Sequence, residues 1–323
     1  MPPSPTDGAE RWSNARRTAI RIAPVVLVAV AAFVLWRFLH KQPPGEIAGS
    51  IGRWGWRRMA SAVGLAFCGY GLLAANEQFA LRWAGAKVRL VDGMTASFIT
   101  YAFANNLGMG VLMSGALRAS VYGKHGVGLT QVAKLTAYGA FTFALGAGAL
   151  GGWSFLTTQD AAFTALGLDS RIGRLIGVLL ALWPVAYIAA CSLLRGSVDI
   201  FGRHFELPKP GYALLQLAFG LADVAVNASI IWILLGASAP RYATFLGAYL
   251  VSVVAGLLSG VPGGVGIFEV MMEALLHTKD HGASLTAALL GYRIFYYLIP
   301  LAVGAVVLFL RRFFPDHKPA EDR

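Results

Sequence analysis

Six stretches of this sequence run for twenty residues or more with very little charge: 20–39, 59–81, 129–153, 175–194, 212–235 and 285–310. A hydrocarbon core of roughly 30 Å takes about 20 apolar residues of helix to cross. Backbone in lipid must satisfy its own hydrogen bonds, so each stretch predicts a membrane-spanning helix. The runs are continuous rather than alternating, which excludes a transmembrane β-barrel. Composition agrees. The chain is 57% hydrophobic and only 13% charged, about half the usual supply of charge for a soluble surface. That excludes a disordered chain, a nucleic-acid-binding domain and an ordinary cytosolic enzyme. The formal charge of +11 then reads as attraction to the anionic inner face of a membrane. The longest polar stretches are the tails and the loops 37–58 and 195–211, none of which fits a soluble domain. The expected organisation is a cytoplasmic tail over 1–19, a single polytopic membrane domain over 20–310 and a cytoplasmic tail over 311–323.

The uncharged part of the first run, 22–36, could be confused with a signal peptide, since Arg16, Arg17 and Arg21 precede it. Arg37 and Lys41 follow it with no small-residue cleavage site, so it reads as a retained span whose cations snorkel at both ends. Cys68 and Cys191 both lie in apolar runs and give neither metal-ligand spacing nor a disulfide framework; both are expected as small core residues.

Two further apolar stretches carry breaks. In 95–117 the run Asn105-Asn106-Leu107-Gly108-Met109-Gly110 sits at the middle, with Ser114 and Gly115 soon after. In 243–276 the break is Ser259-Gly260-Val261-Pro262-Gly263-Gly264-Val265-Gly266. So much Gly and Pro will not hold a continuous helix, and irregular backbone survives at membrane depth only beside protein or a wet cavity. Each stretch therefore predicts a re-entrant hairpin of two half-helices. With both re-entrant and the N-terminus inside, sixteen Lys and Arg fall on the cytoplasmic side, Arg118 among them, against nine outside. If both crossed fully, making eight spans, the split would be fourteen to eleven. The positive-inside rule favours the first arrangement. One hairpin then enters from each side, as in transporters with midplane sites. The fold class is an all-α polytopic helix bundle of about six spans plus two re-entrant hairpins.

Ionisable groups within spans are costly, roughly 2.5–3.5 kcal/mol at the bilayer centre on insertion scales. Here they are Glu77, Lys134, Asp223, Glu269, Glu273 and Arg293. Glu77 and Lys134 lie near span ends and read as interfacial. Glu269 and Glu273 are four apart, share a helix face and open the half-helix after the Gly-Gly break, where the helix dipole favours negative charge. Asp223 and Asn227 form another polar pair one turn apart. Arg293 lies among Tyr292, Tyr296 and Tyr297, which read either as an aromatic belt or as part of a polar interior. Asn105 and Asn106 read either as glue between helices or as part of a site. The sequence has no GxxxxGK[ST], HExxH or GxSxG motif. His125, His277 and His281 have no metal-like spacing.

Three blocks carry a resemblance. The first is Tyr101-Ala-Phe-Ala-Asn-Asn-Leu-Gly followed by Ser114-Gly115-Ala-Leu-Arg118 and Tyr122. The second is Pro262-Gly263-Gly264-Val-Gly266-Ile-Phe268-Glu269. The third is Gly291-Tyr292-Arg293-Ile-Phe-Tyr296-Tyr297-Leu-Ile-Pro300. Together they resemble the lysylphosphatidylglycerol synthase transmembrane family over about residues 60–310. In full-length members of that family a membrane flippase region moves aminoacylated phosphatidylglycerol, and a separate cytosolic domain makes it. The resemblance covers the membrane region only, so it implies a lipid flippase of a bacterial cytoplasmic membrane and no enzyme activity. Met113-Ser114-Gly115-Ala116 and Ala119 stand where a more basic, glycine-rich stretch is expected. Stand-alone relatives also point to hopanoid-type and polyprenyl-linked lipids, so the headgroup stays open. The expected partners are membrane lipids, with a separate lipid synthase or a second copy of the chain as further partners and no nucleic acid. The alternative reading is a membrane-embedded subunit that docks a separate synthase or glycosyltransferase.

The residues expected to bind the lipid are Asn105, Asn106, Arg118, Asp223, Pro262, Gly263, Gly264, Gly266, Glu269, Glu273, Arg293 and Tyr296, with no metal, cofactor or catalytic group. Backbone N–H groups at Gly263, Gly264 and Gly266 would hold a phosphate, and Arg118 or Arg293 would neutralise it. Glu269 and Glu273 would accept a cationic headgroup. Glu269 and Arg293 are expected to face one internal cavity, with Asp223 and Asn105 nearby.

Overall fold

The computed structural model describes residues 44–107, 110–158, 169–194, 197–200, 203–276 and 282–313. The expected first span, the N-terminal tail, the C-terminal tail beyond Phe313, His277 and His281 lie outside the described residues. The helices are α1 (Pro44–Gly52), α2 (Trp56–Trp83), α3 (Leu90–Leu107), α4 (Gly110–Tyr122), α5 (Leu129–Thr157), α6 (Ser170–Leu193), α7 (Pro210–Leu235), α8 (Tyr242–Leu258), α9 (Ile267–Leu276), α10 (Gly282–Tyr292) and α11 (Ile299–Phe313). A π-helical turn, Arg293–Leu298, joins α10 to α11. Among the described residues, five helical stretches are long and apolar enough to cross a membrane: Trp56–Trp83, Leu129–Thr157, Ser170–Leu193, Pro210–Ser238 and Gly282–Leu310. They match five of the six expected spans.

The expected break at 259–266 appears; of the one at 105–110, Gly108 and Met109 lie outside the described residues. α3 and α4 pack against each other, as do α8 and α9. At 1.5 Å per residue, the 13 residues of α4 and the 10 of α9 reach only about 20 and 15 Å, short of a roughly 30 Å core. Between α8 and α9 the chain turns through Gly263 and Gly264, whose φ values of 59° and 62° suit glycine and few other residues.

The loop 195–211 holds one feature the sequence did not suggest. Strands β1 (Ser197–Ile200) and β2 (Arg203–Glu206) pair antiparallel, with Ser197 opposite Glu206. Lys134 Nζ meets Glu206 Oε2 at 2.6 Å, so this hairpin is tied to the start of α5. The cation sits at the span end, as expected.

Small residues let the bundle close around α5. It packs against both α6 and α7, and α7 packs in turn on α2. At the α5–α7 crossing, a Cβ on Gly146 would lie 2.2 Å from the Gly220 backbone. Close approach at small residues is how helices associate where lipid supplies no hydrophobic drive. On α6 the side chains of Ile172, Leu175, Leu179 and Leu182 are exposed, while Gly173, Gly177, Tyr187 and Cys191 face the protein. Helical spacing thus splits α6 into a lipid face and a protein face. Cys191 is a core residue as expected; Cys68 is exposed, because its position on α2 turns outward from the bundle.

Candidate functional site

Two buried ion pairs organise the helix interior. In the first, Arg118 on α4 donates from Nε and Nη2 to the two carboxylate oxygens of Glu77 on α2, each at 2.7 Å. Nη2 also donates to the Tyr101 hydroxyl on α3 at 3.0 Å, and Nη1 to Ser114 Oγ. Glu77 and Arg118 are 0% and 2% exposed. Glu77 is therefore not interfacial. Its carboxylate lies inside the bundle because a two-pronged guanidinium matches it there. Arg118, in turn, is no cation of a cytoplasmic loop.

In the second pair, Arg293 donates from Nε and Nη2 to Glu269 Oε1 at 2.9 and 2.7 Å. Glu269 Oε2 accepts the Gly266 N–H at 2.6 Å, the carboxylate half of a capping box at the start of α9. Arg293 Nη1 donates to the Gly263 carbonyl at 2.6 Å. One arginine thus ties the last span to both sides of the Gly-Gly turn. Its guanidinium lies over the Tyr297 ring, 4.6 Å from the centroid, a cation–π contact.

The π-helical turn has a local reason. A π turn leaves carbonyls out of the usual i to i−4 ladder, and here neighbours use them. Tyr70 on α2 donates its hydroxyl to the Tyr296 carbonyl at 3.1 Å, and Asn106 Nδ2 on α3 donates to the Tyr297 carbonyl at 3.3 Å. Tyr292 and Tyr296 stack at 5.5 Å with rings 7° apart. Both are buried, so they form part of the interior and not a belt at the membrane surface.

Between the two ion pairs lies a cavity of about 340 Å³. Of the residues expected at the site, Asn105, Arg118, Asp223, Gly263, Gly264 and Tyr296 line it. The other six do not. Asn106 is turned to the Tyr297 carbonyl, the helix-glue role. Pro262 and Gly266 flank the turn without reaching the cavity. Glu269 and Arg293 pair with each other as charge cost requires, but they stand behind the wall formed by Gly263, Phe268, Tyr292 and Tyr297. Glu273 is half-buried on α9 and has no ion-pair partner among the described residues. Only Glu269 of the two glutamates reaches the interior.

Of the three N–H groups expected to cradle a phosphate, two already have partners beside the turn. The Gly264 N–H donates to the Val261 carbonyl at 2.8 Å, and the Gly266 N–H is taken by Glu269. The turn spends these donors on itself. Arg118 and Arg293 are likewise held by carboxylates, so neither offers a free guanidinium to an anion.

What the cavity does offer is acceptors. Asp223 lines it, with Asn227 Nδ2 donating to Oδ1 at 3.0 Å. Asn227 is 6% exposed, and its Oδ1 has no donor. Asn76 Oδ1 lies 3.4 Å from the Thr142 hydroxyl, its one donor among the described residues. Tyr101 and Tyr249 add phenols, and Phe143 and Phe219 add apolar walls. Asn76, Thr142 and the two tyrosines were missed in the sequence. The readable signal was the Asn76-Glu77 dipeptide inside an otherwise apolar run, since polar residues there mark helix contacts or sites.

Comparison with known proteins agrees with this architecture. Residues 23–304 match the lysylphosphatidylglycerol synthase TM region. The inner membrane protein YbhN of Escherichia coli is 30% identical over 257 residues, covering 78% of this chain and 79% of that protein. An uncharacterised protein of Synechocystis is 28% identical over 280 residues, covering 82% and 86%. A phosphatidylglycerol lysyltransferase of Staphylococcus xylosus is 35% identical over 69 residues, 20% of this chain and 8% of that enzyme. With most of its length matched, this multi-pass membrane chain belongs to the family of the lysylphosphatidylglycerol synthase transmembrane region.

Proposed function

We propose that this protein carries lipid headgroups between the leaflets of a bacterial cytoplasmic membrane and catalyses no bond change. The observation that carries the reading is the polar cavity, with Asp223, Asn227, Asn76 and Asn105 set among helices long and apolar enough to span. A headgroup stripped of water needs such partners, because unpaired polar groups cost several kcal/mol in hydrocarbon. The acyl chains would stay in lipid beside the helices. The two arginines act as locks on the half-helices. The cavity's own chemistry then favours a headgroup rich in donors over a bare phosphate. The Staphylococcus relative bears the name of a phosphatidylglycerol lysyltransferase, so lysyl-phosphatidylglycerol, with its amines, is the first lipid to test.

The test is leaflet-specific. Cells supplied with a lysyl-phosphatidylglycerol synthase are labelled with an impermeant amine reagent, with and without this protein. The expected result is more labelled lipid in the outer leaflet when the protein is present, at equal total lipid. Equal labelling would favour a subunit that docks a separate synthase.

A further inference from the structure

Among the described residues, Glu77, Asp223 and Glu269 bring carboxylates into the helix interior, and of these Glu77 and Glu269 have a counter-charge. Glu77 and Glu269 are each held by two guanidinium N–H groups. Asp223, near the middle of α7, has Asn227 one turn on as its hydrogen-bond partner. The titratable groups that share its cavity wall, Arg118 apart, are phenols: Tyr101 from α3, Tyr249 from α8, Tyr292 from α10, and Tyr296 and Tyr297 from the π turn. From α5, which crosses α7 at Gly146 and Gly220, the polar group on the shared cavity wall is Thr142. Arg118 is the one cation on that wall among the described residues, and both Glu77 oxygens already hold it.

A lone carboxylate at this depth is expensive. It is neutralised either by a cation from outside or by a proton. Asn227 Oδ1 beside it is buried without a donor, so the pair has acceptors to spare and lacks a donor. We propose that Asp223 is the proton site that drives transport: its carboxyl holds a proton while the cavity is empty and yields it when a cationic headgroup binds. This rests on the transport reading above. The balance is simple. When the headgroup leaves, an O–H bond forms on the Asp223 carboxylate with a proton from water on that side. When an ammonium enters, that O–H bond breaks and the proton leaves to water on the side of entry. The cavity never holds a bare charge, and each lipid moved exchanges against one proton.

The test reads the proton directly. The whole protein in phosphatidylcholine nanodiscs is examined by infrared difference spectroscopy after pH jumps through the neutral range. A carboxylic-acid carbonyl band is expected on acidification, shifted in protein made with isotope-labelled aspartate, and lost in Asp223→Asn. The labelled wild type keeps the test valid if Asp223→Asn fails to fold. No aspartate band, a band unchanged in a folded Asp223→Asn, or a band governed by sodium at fixed pH would each overturn the proton site. Adding lysyl-phosphatidylglycerol is expected to diminish the band. A band that ignores this lipid would overturn the exchange and count against that headgroup, while the proton site itself would stand.

Discussion

At the scale of single residues, the structure separates charges that hold helices together from Asp223, a carboxyl on the cavity wall. Spacing and cost already placed Glu269 and Arg293 together in the sequence, and they do pair. Their position behind the cavity wall was not legible, because it depends on Phe268 and Tyr297 closing over them. The Glu77–Arg118 pair was also hidden, since its partners lie 41 residues apart and no local pattern links them. These pairs are not interchangeable in sign. Glu269 also accepts from the Gly266 N–H, and Arg293 also donates to the Gly263 carbonyl. An arginine at 269 has no acceptor to offer, and a glutamate at 293 has no donor. The double change Glu269→Arg with Arg293→Glu is therefore expected to be as damaging as Arg293→Met alone, on the order of 3–5 kcal/mol for a broken buried pair. Thermal unfolding of the purified variants in detergent checks this. A swap restored to wild-type stability would mean that the backbone bonds to Gly263 and Gly266 matter little.

At the scale of elements, the spans were legible because lipid permits few solutions: a long apolar run must close its own hydrogen bonds as a helix. The breaks at 105–110 and 259–266 were legible for the complementary reason, since Gly and Pro weaken helices. The π turn was not, as it answers hydroxyl and amide donors on α2 and α3 rather than its own sequence. The β1–β2 hairpin escaped because its strands are only four residues each; Ser197–Ile200 alternates polar and apolar, but Arg203–Glu206 does not. The turn between α8 and α9 makes a prediction of its own. Gly264 has φ 62°, and a Cβ there would sit 3.1 Å from Gly256 Cα on α8. Gly264→Ala is expected to cost about 1–3 kcal/mol, the usual range for such backbone strain, with a further loss from parting α8 from the turn. Gly260 also has positive φ, 67°, but open space around it, so Gly260→Ala should pay the strain alone. Stability of the two variants, compared by thermal unfolding, tests the difference; equal losses would remove the packing contribution.

At the scale of the whole molecule, the account is a bundle of apolar helices closed around a polar cavity, with two half-helix hairpins bordering it. From the bias of Lys and Arg we propose that the 195–211 loop, and with it the β1–β2 hairpin, lies on the cytoplasmic side. A single cysteine at Ser197, in a background with Cys68→Ser and Cys191→Ala, is expected to resist an impermeant thiol reagent in intact cells and to react after permeabilisation. Reaction in intact cells would reverse the orientation and exclude the arrangement with both hairpins re-entrant. On the proposed function the cavity is the path of the headgroup. Ala140 on α5 lines that cavity and is not part of either ion pair, so Ala140→Trp fills the space while leaving the locks in place. The decisive measurement is translocation of acyl-chain-labelled lysyl-phosphatidylglycerol across phosphatidylglycerol–phosphatidylethanolamine vesicles, read by impermeant quenching, for the wild type, Ala140→Trp and protein-free vesicles. The account predicts movement with the wild type that slows at least about tenfold in a folded Ala140→Trp, equivalent to ~1.4 kcal/mol on the barrier; an unchanged rate with the cavity filled, or a wild type no faster than bare vesicles, would contradict it.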